Sequence, residues 1–272
     1  MKRFYILDRN AVSEIRKAQS GVRTIPANLS KLRSLDNKNS IVSCITSILE
    51  GNTRGPETSE EVRETILKDM AAISMFYKHA KTDVGFLQKN LDIASDALHG
   101  NEGKEIDWGN YIDVIHKAQK ELYQPIAKKD RYKYAEDFLK FCCEKNVNRG
   151  HAIVLCILGV LYRNENAIKV LKARKVATKH DAYNACSDLI IFSRKCRIQN
   201  MVGNKGIVKF ITFDKALEKL FSYIKVNHGA RLEYDDSSGF QITQTFKNDL
   251  FNRDGAEASD DDIEKIIYLI RK

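Results

Sequence analysis

Short apolar runs that end at carboxylates stand at both ends of the chain, and helical spacing fills the middle. Phe4-Tyr5-Ile6-Leu7 suits a buried strand stopping at Asp8, and Ala11 to Gln19 then reads as a helix. Ile41-Val42-Ser43 reads as a second strand running into a short helix up to Glu50, which Gly51-Asn52 stops. Pro56 to Glu61 is a helix start, with hydroxyl caps and acids at the positive end of the dipole. Ile66, Met70, Ile73 and Phe76-Tyr77 then recur on one helical face, and Phe86-Leu87, Leu91, Ile93-Ala94 and Leu98 on another. His99 to Gly103 is a break. Further helices are expected over Trp108 to Leu122, Tyr132 to Lys145, His151 to Tyr162 and Asn164 to Val176, without an internal repeat.

The pattern changes again after this block. Asp181 to Arg194 reads as a helix, and Gly206 to Phe213 as a strand ending at Asp214. Lys215 to Val226 reads as helical, Gly239 to Phe246 alternates like a half-exposed strand, and Ser259 to Asp262 caps a last helix to Arg271. Strands at the ends and helices between them predict an α/β domain interrupted by a large all-helical insertion. The core is placed at 1–55 and 177–272, and the insertion at 56–176.

Composition narrows the class of protein. With 43% hydrophobic and 30% charged residues and three prolines, the chain is that of a globular protein. The longest apolar run, Ala152 to Tyr162, falls short of a membrane span, and the N-terminus meets Asp8 before a signal-peptide apolar region could form. A cytoplasmic protein with no membrane partner is expected. None of the six cysteines forms a CxxC pair or a zinc spacing, so reduced and mostly buried thiols are expected, with Cys196 the more exposed. The six histidines show no HExxH pairing, and Gly203 to Gly206 lacks the ending of a phosphate-binding P-loop. A net charge of +9 points toward a polyanion, for which nucleic acid is the commonest partner.

The acids carry the candidate chemistry. Asp8 and Asp214 end strand-like runs, and helical segments supply Glu50 and Asp181. In open α/β sheets, sites form at the carboxyl ends of strands. Carboxylates gathered there repel one another unless a hard divalent cation joins them, and such a cation can activate water for phosphoryl displacement.

Residues 4–15, from Phe4-Tyr5-Ile6-Leu7-Asp8-Arg9-Asn10, resemble the first strand of the PIN-domain nucleases: an apolar run, aspartate, one residue, asparagine, then a helix. Ile41 to Gly51 is similar to their second segment, His180 to Leu189 to their third, and Val208 to Leu217, with its Thr-x-Asp-Lys ending, to their last. The resemblance covers about half of the chain, in the right order, and none of the helical middle. It implies a PIN-like three-layer core with a central, mainly parallel sheet. It also implies a metal-dependent endoribonuclease, of the kind used as bacterial toxins or antiphage effectors. Asp8, Glu50, Asp181 and Asp214 would bind Mg²⁺ or Mn²⁺, with Glu50 binding the metal or orienting the attacking water, Asn10 and Thr212 in support and Asp188 able to replace or supplement Asp181. RNA is favoured as the partner. An inhibitory or activating protein and a homo-oligomer are compatible with that role. A DNA nuclease with the same site, or a PIN-like module that binds RNA or protein without cutting, is the alternative.

Basic residues near Asp181 supply candidate phosphate contacts: Lys169, Lys172, Arg174, Lys175 and Lys179 before it, and Arg194, Lys195 and Arg197 after it. A solvated helix face explains the same residues. Helix capping likewise explains Glu57, Glu60 and Glu61 as well as any site role does.

Overall fold

The computed structural model describes residues 2–50, 58–98, 107–234, 237–251 and 260–271. The Gly51-Asn52 stop, the break at His99 to Gly103, Pro56, Glu57 and the Ser259 cap lie outside these residues. The chain divides into two compact units, Met1–Ile106 with Ile198–Asp214, and Asp107–Arg197 with Lys215–Lys272.

The first unit is an α/β layer. Its strands are β1 (Lys2–Leu7), β2 (Ser40–Ser43), β3 (Lys81–Thr82) and β4 (Gly206–Ile211), in the order β3-β2-β1-β4 and all parallel. Helices α1 (Arg9–Gln19) and α2 (Pro26–Arg33) join β1 to β2, and α3 (Ile45–Glu50) and α4 (Ser59–Phe76) lie between β2 and β3. Two short helices follow β3, α5 (Val84–Lys89) and α6 (Leu91–Leu98). The chain thus steps outward from β1 to β2 to β3, and returns much later to add β4 on the free side of β1. Tight packing marks that return. A Cβ on Gly206 would lie 2.6 Å from the Phe4 ring and 2.7 Å from the Lys2 carbonyl oxygen.

Tyr5 and Leu7 of β1, Val42 of β2 and Ile211 of β4 form one core with Ile15 of α1, Ile48 of α3, and Ile66 and Ile73 of α4. Each fully buried Leu or Ile here is worth about 1.5–3 kcal/mol. This packing moves the expected domain boundary. The apolar face of α4 covers the sheet, so residues 59–98 belong with the strands and not to a helical insertion. Conversely, residues 177–197 and 215–271, expected in the core, fall in the second unit. Thr58 caps α4 in a reciprocal capping box with Glu61, as the acid-rich helix start implies.

The second unit is mostly helical: α7 (Trp108–Glu121), α8 (Arg131–Glu144), α9 (Ala152–Leu161), α10 (Glu165–Leu171), the first part of α11 (Lys179–Val202), α12 (Lys215–Tyr223) and α13 (Asp260–Arg271). Every residue of α9 is buried, which makes it the axis against which α7, α8 and α10 pack. Where a helix to Val226 was expected, α12 stops at Tyr223, and β5 (Ile224–Tyr234) pairs antiparallel with β6 (Ser237–Phe246). Cys196 is buried, and Cys143 is the exposed thiol. Among the described residues, no helix is long and apolar enough to cross a membrane.

Candidate functional site

The carboxyl ends of β1 and β4 lie side by side, since Leu7 pairs with Ile211 and the Asp8 N–H donates to the Ile211 carbonyl at 3.1 Å. This is the point where the strand order reverses, and open parallel sheets bind ligands there. Asp8 follows β1 at once and serves as the N-cap of α1, accepting the Ala11 N–H at 2.8 Å. Its carboxylate is 2% exposed and also accepts hydrogen bonds from the side chains of Thr212 and Asn10. The Thr212 hydroxyl oxygen in turn accepts the Asp214 N–H at 3.0 Å. One buried hydroxyl therefore ties the two strand-end acids together. Burial pushes the Asp8 carboxyl up to about 6, the hydrogen bonds from Thr212, Ala11 and Asn10 oppose the rise, and the charge of Asp214 adds to it.

Glu50, at the end of α3, accepts the Arg9 N–H at 3.0 Å and so sits against the residue next to Asp8. Two further acids that sequence reasoning did not single out complete this end of the sheet. Asp83 follows β3 and accepts from the Ser43 hydroxyl at 2.6 Å and the Cys44 N–H at 3.0 Å, pinning the ends of β2 and β3 together. Asp69 of α4 is fully buried and takes Nη1 of Arg9 at 3.2 Å, Nη1 of Arg16 at 3.5 Å and the Ser47 hydroxyl at 3.0 Å. Burial raises the pKa of both Asp83 and Asp69. Asp69 had a signal in the sequence: it falls on the apolar stripe of Val62, Ile66 and Ile73, where a carboxylate needs a buried cation. Asp83 had none, because a two-residue strand carries no apolar pattern.

The remaining expected site residues belong to the second unit. Asp181 forms a capping box at the start of α11, accepting the Thr178 N–H and hydroxyl at 2.9 Å each, and pairs with Nη2 of Arg174 at 2.9 Å. The Thr178 bonds hold its pKa below the usual carboxylate range. Asp188 lies 3.9 Å from Nζ of Lys172, which ends α10 in a left-handed turn. Lys169, Lys175, Lys179 and Arg197 are exposed, and Lys195 lies over the Phe192 ring. Arg194, expected to contact nucleic acid, is instead buried at 7% exposure, where a phosphate cannot be reached without unpacking the helix.

Among the described residues, no group of three or more His, Cys, Asp or Glu side chains is gathered closely enough to hold a metal ion. The Asp8–Asp214 pair nevertheless has the chemistry of a Mg²⁺ site, because that ion takes one or two carboxylates and keeps several waters. A cation there would also relieve the repulsion that Asp214 exerts on Asp8. No protein-family model, curated protein or solved structure matches the chain at a significant level.

Proposed function

We propose that the chain is a metal-dependent nuclease cutting phosphodiester bonds, RNA before DNA, at the carboxyl ends of β1 and β4. The observation that carries this reading is the linkage of two strand-end aspartates, Asp8 and Asp214, through the buried Thr212 hydroxyl at the sheet's switch point. Asp8 and Asp214 would hold Mg²⁺ or Mn²⁺, with Glu50 at the margin. The bound ion would supply a Lewis acid for the phosphoryl oxygens and an acidified water as nucleophile.

The protein's own groups set the geometry. Thr212 and Asn10 fix the Asp8 carboxylate through their hydrogen bonds, and the α1 cap fixes its rotamer. The Arg9 N–H fixes Glu50, which can orient or deprotonate a water once it turns from that bond. Asp181 enters the proposal as the fourth acid that the PIN resemblance implies.

Purified chain incubated with labelled single-stranded RNA and DNA, in Mg²⁺, in Mn²⁺ and in EDTA, tests the reading. RNA is cut only with metal, and Asp8→Asn/Asp214→Asn falls by about a hundredfold or more, as removal of groups acting as one unit does. Asp181→Asn alongside reports whether the fourth acid takes part. Cleavage that persists in the double variant would remove the site from consideration. RNA binding without cleavage, equal in both proteins, would favour a binding module.

A further inference from the structure

We propose that Arg9 and Arg16, held by the buried carboxylate of Asp69, form a fork that grips a backbone phosphate of single-stranded nucleic acid beside Asp8. The inference rests on the nuclease reading of Asp8 and Asp214 and adds the element that would seat the substrate.

Arg9 and Arg16 stand seven residues apart on α1, almost two full turns, and therefore leave the helix on one face. That face meets α4. Both side chains converge on Asp69, Arg9 on Oδ2 and Arg16 on Oδ1, although their Cα atoms are about 10 Å apart along the helix axis. Each guanidinium gives one Nη1 donor to the carboxylate, end-on and not as a bidentate pair. The rest of each fork remains for a ligand, since among the described residues neither guanidinium has another hydrogen-bond partner.

Exposure and charge complete the case. Asp69 is fully buried, while the side chains of Arg9 and Arg16 are 28% and 39% exposed. Two guanidinium charges against one carboxylate leave one positive charge, rigidly held and reachable from solvent. A phosphodiester carries one negative charge and an oxygen edge that matches the planar guanidinium fork. Ser47 also donates to Asp69, so α1, α3 and α4 all fix the position of the pair. Arg9 is the first residue of α1 and directly follows Asp8, so the fork and the proposed reacting centre share the start of that helix.

Fluorescence anisotropy of a short labelled single-stranded RNA tests the fork, in EDTA so that nothing is cut, over a series of salt concentrations. Arg9→Gln/Arg16→Gln is compared with wild type and with Lys133→Gln/Lys140→Gln, a pair on an exposed face of α8 that removes the same charge. For the arginine variant, affinity falls roughly tenfold or more, and the slope of log K against log salt falls by about 0.7, the value for one lost phosphate contact on a single strand. Arg16→Gln alone, at the more exposed position, loses part of that slope and carries the test if the double variant misfolds by circular dichroism. Arginine and lysine variants with the same affinity and slope would overturn the fork. Cleavage by wild type with an unchanged slope in the arginine variant would overturn the fork alone. A lost slope without any cleavage would overturn the nuclease reading and keep the fork.

Discussion

Burial and hydrogen bonding pull the Asp8 carboxyl in opposite directions, and burial wins. The sign of the consequence for stability is fixed. A carboxyl raised from 3.8 to about 6 on folding holds its proton more tightly in the folded state. Its contribution is therefore fully favourable below pH 4 and is lost as pH rises through about 6. Asp8→Asn keeps an N-cap side chain but removes the charge. In metal-free buffer at pH 8 this variant should be more stable than wild type by up to about 3 kcal/mol, and the advantage should vanish near pH 4. Urea unfolding at both pH values measures it. Mg²⁺ should raise the melting temperature of wild type and leave that of Asp8→Asn unchanged, because only a cation held by the carboxylate stabilises the folded state. Equal response of the two proteins would show that Asp8 is not a ligand.

At the scale of elements, the return of β4 to β1 depends on one small residue. Gly206→Ala would force its Cβ against the Lys2 carbonyl oxygen, which is backbone and cannot turn aside. A loss of about 1–3 kcal/mol, as for overpacking in a core, is expected from thermal or urea unfolding, with the secondary structure content unchanged. An unchanged midpoint would mean that the two strands are held less tightly than their ladder implies.

The elements differ in how far the sequence revealed them, and burial explains why. β1, β2 and β4 were legible because each is an apolar run stopped by a polar side chain, and Asp8 and Asp214 were legible for the same reason. β3 was not, since two residues paired on one side leave no pattern. β5 was hidden because α12 runs straight into it at Ile224, without a turn residue between them. Asp181 shows the opposite difficulty. A threonine three residues before an acid at a helix start describes a capping box and a site acid equally well from the residues alone, and in the structure Asp181 makes the capping bonds with Thr178. Which unit α4 belongs to depended on where its stripe found a partner, and only tertiary packing decides that.

For the whole molecule, the important fact is that neither unit is continuous in sequence. A fragment covering residues 1–106 would contain β1, β2 and β3 but lack β4, Thr212 and Asp214. Its central strand would become an unpaired edge, and the core would lose Ile211. Such a fragment should show no cooperative thermal transition and should self-associate, as light scattering and circular dichroism would record. A sharp transition in the fragment would mean that β4 adds the site without completing the fold.

The late arrival of β4 also sets a schedule for synthesis. Asp8 leaves the ribosome well before its partner Asp214 and the linking Thr212, which follow only after some two hundred more residues have been added. At ordinary elongation rates that interval lasts about 10–40 seconds. Throughout it the nascent chain holds half of an acid pair, surrounded by the ribosome's own RNA. A site built this way cannot be complete before β4 exists, so the topology itself delays its assembly.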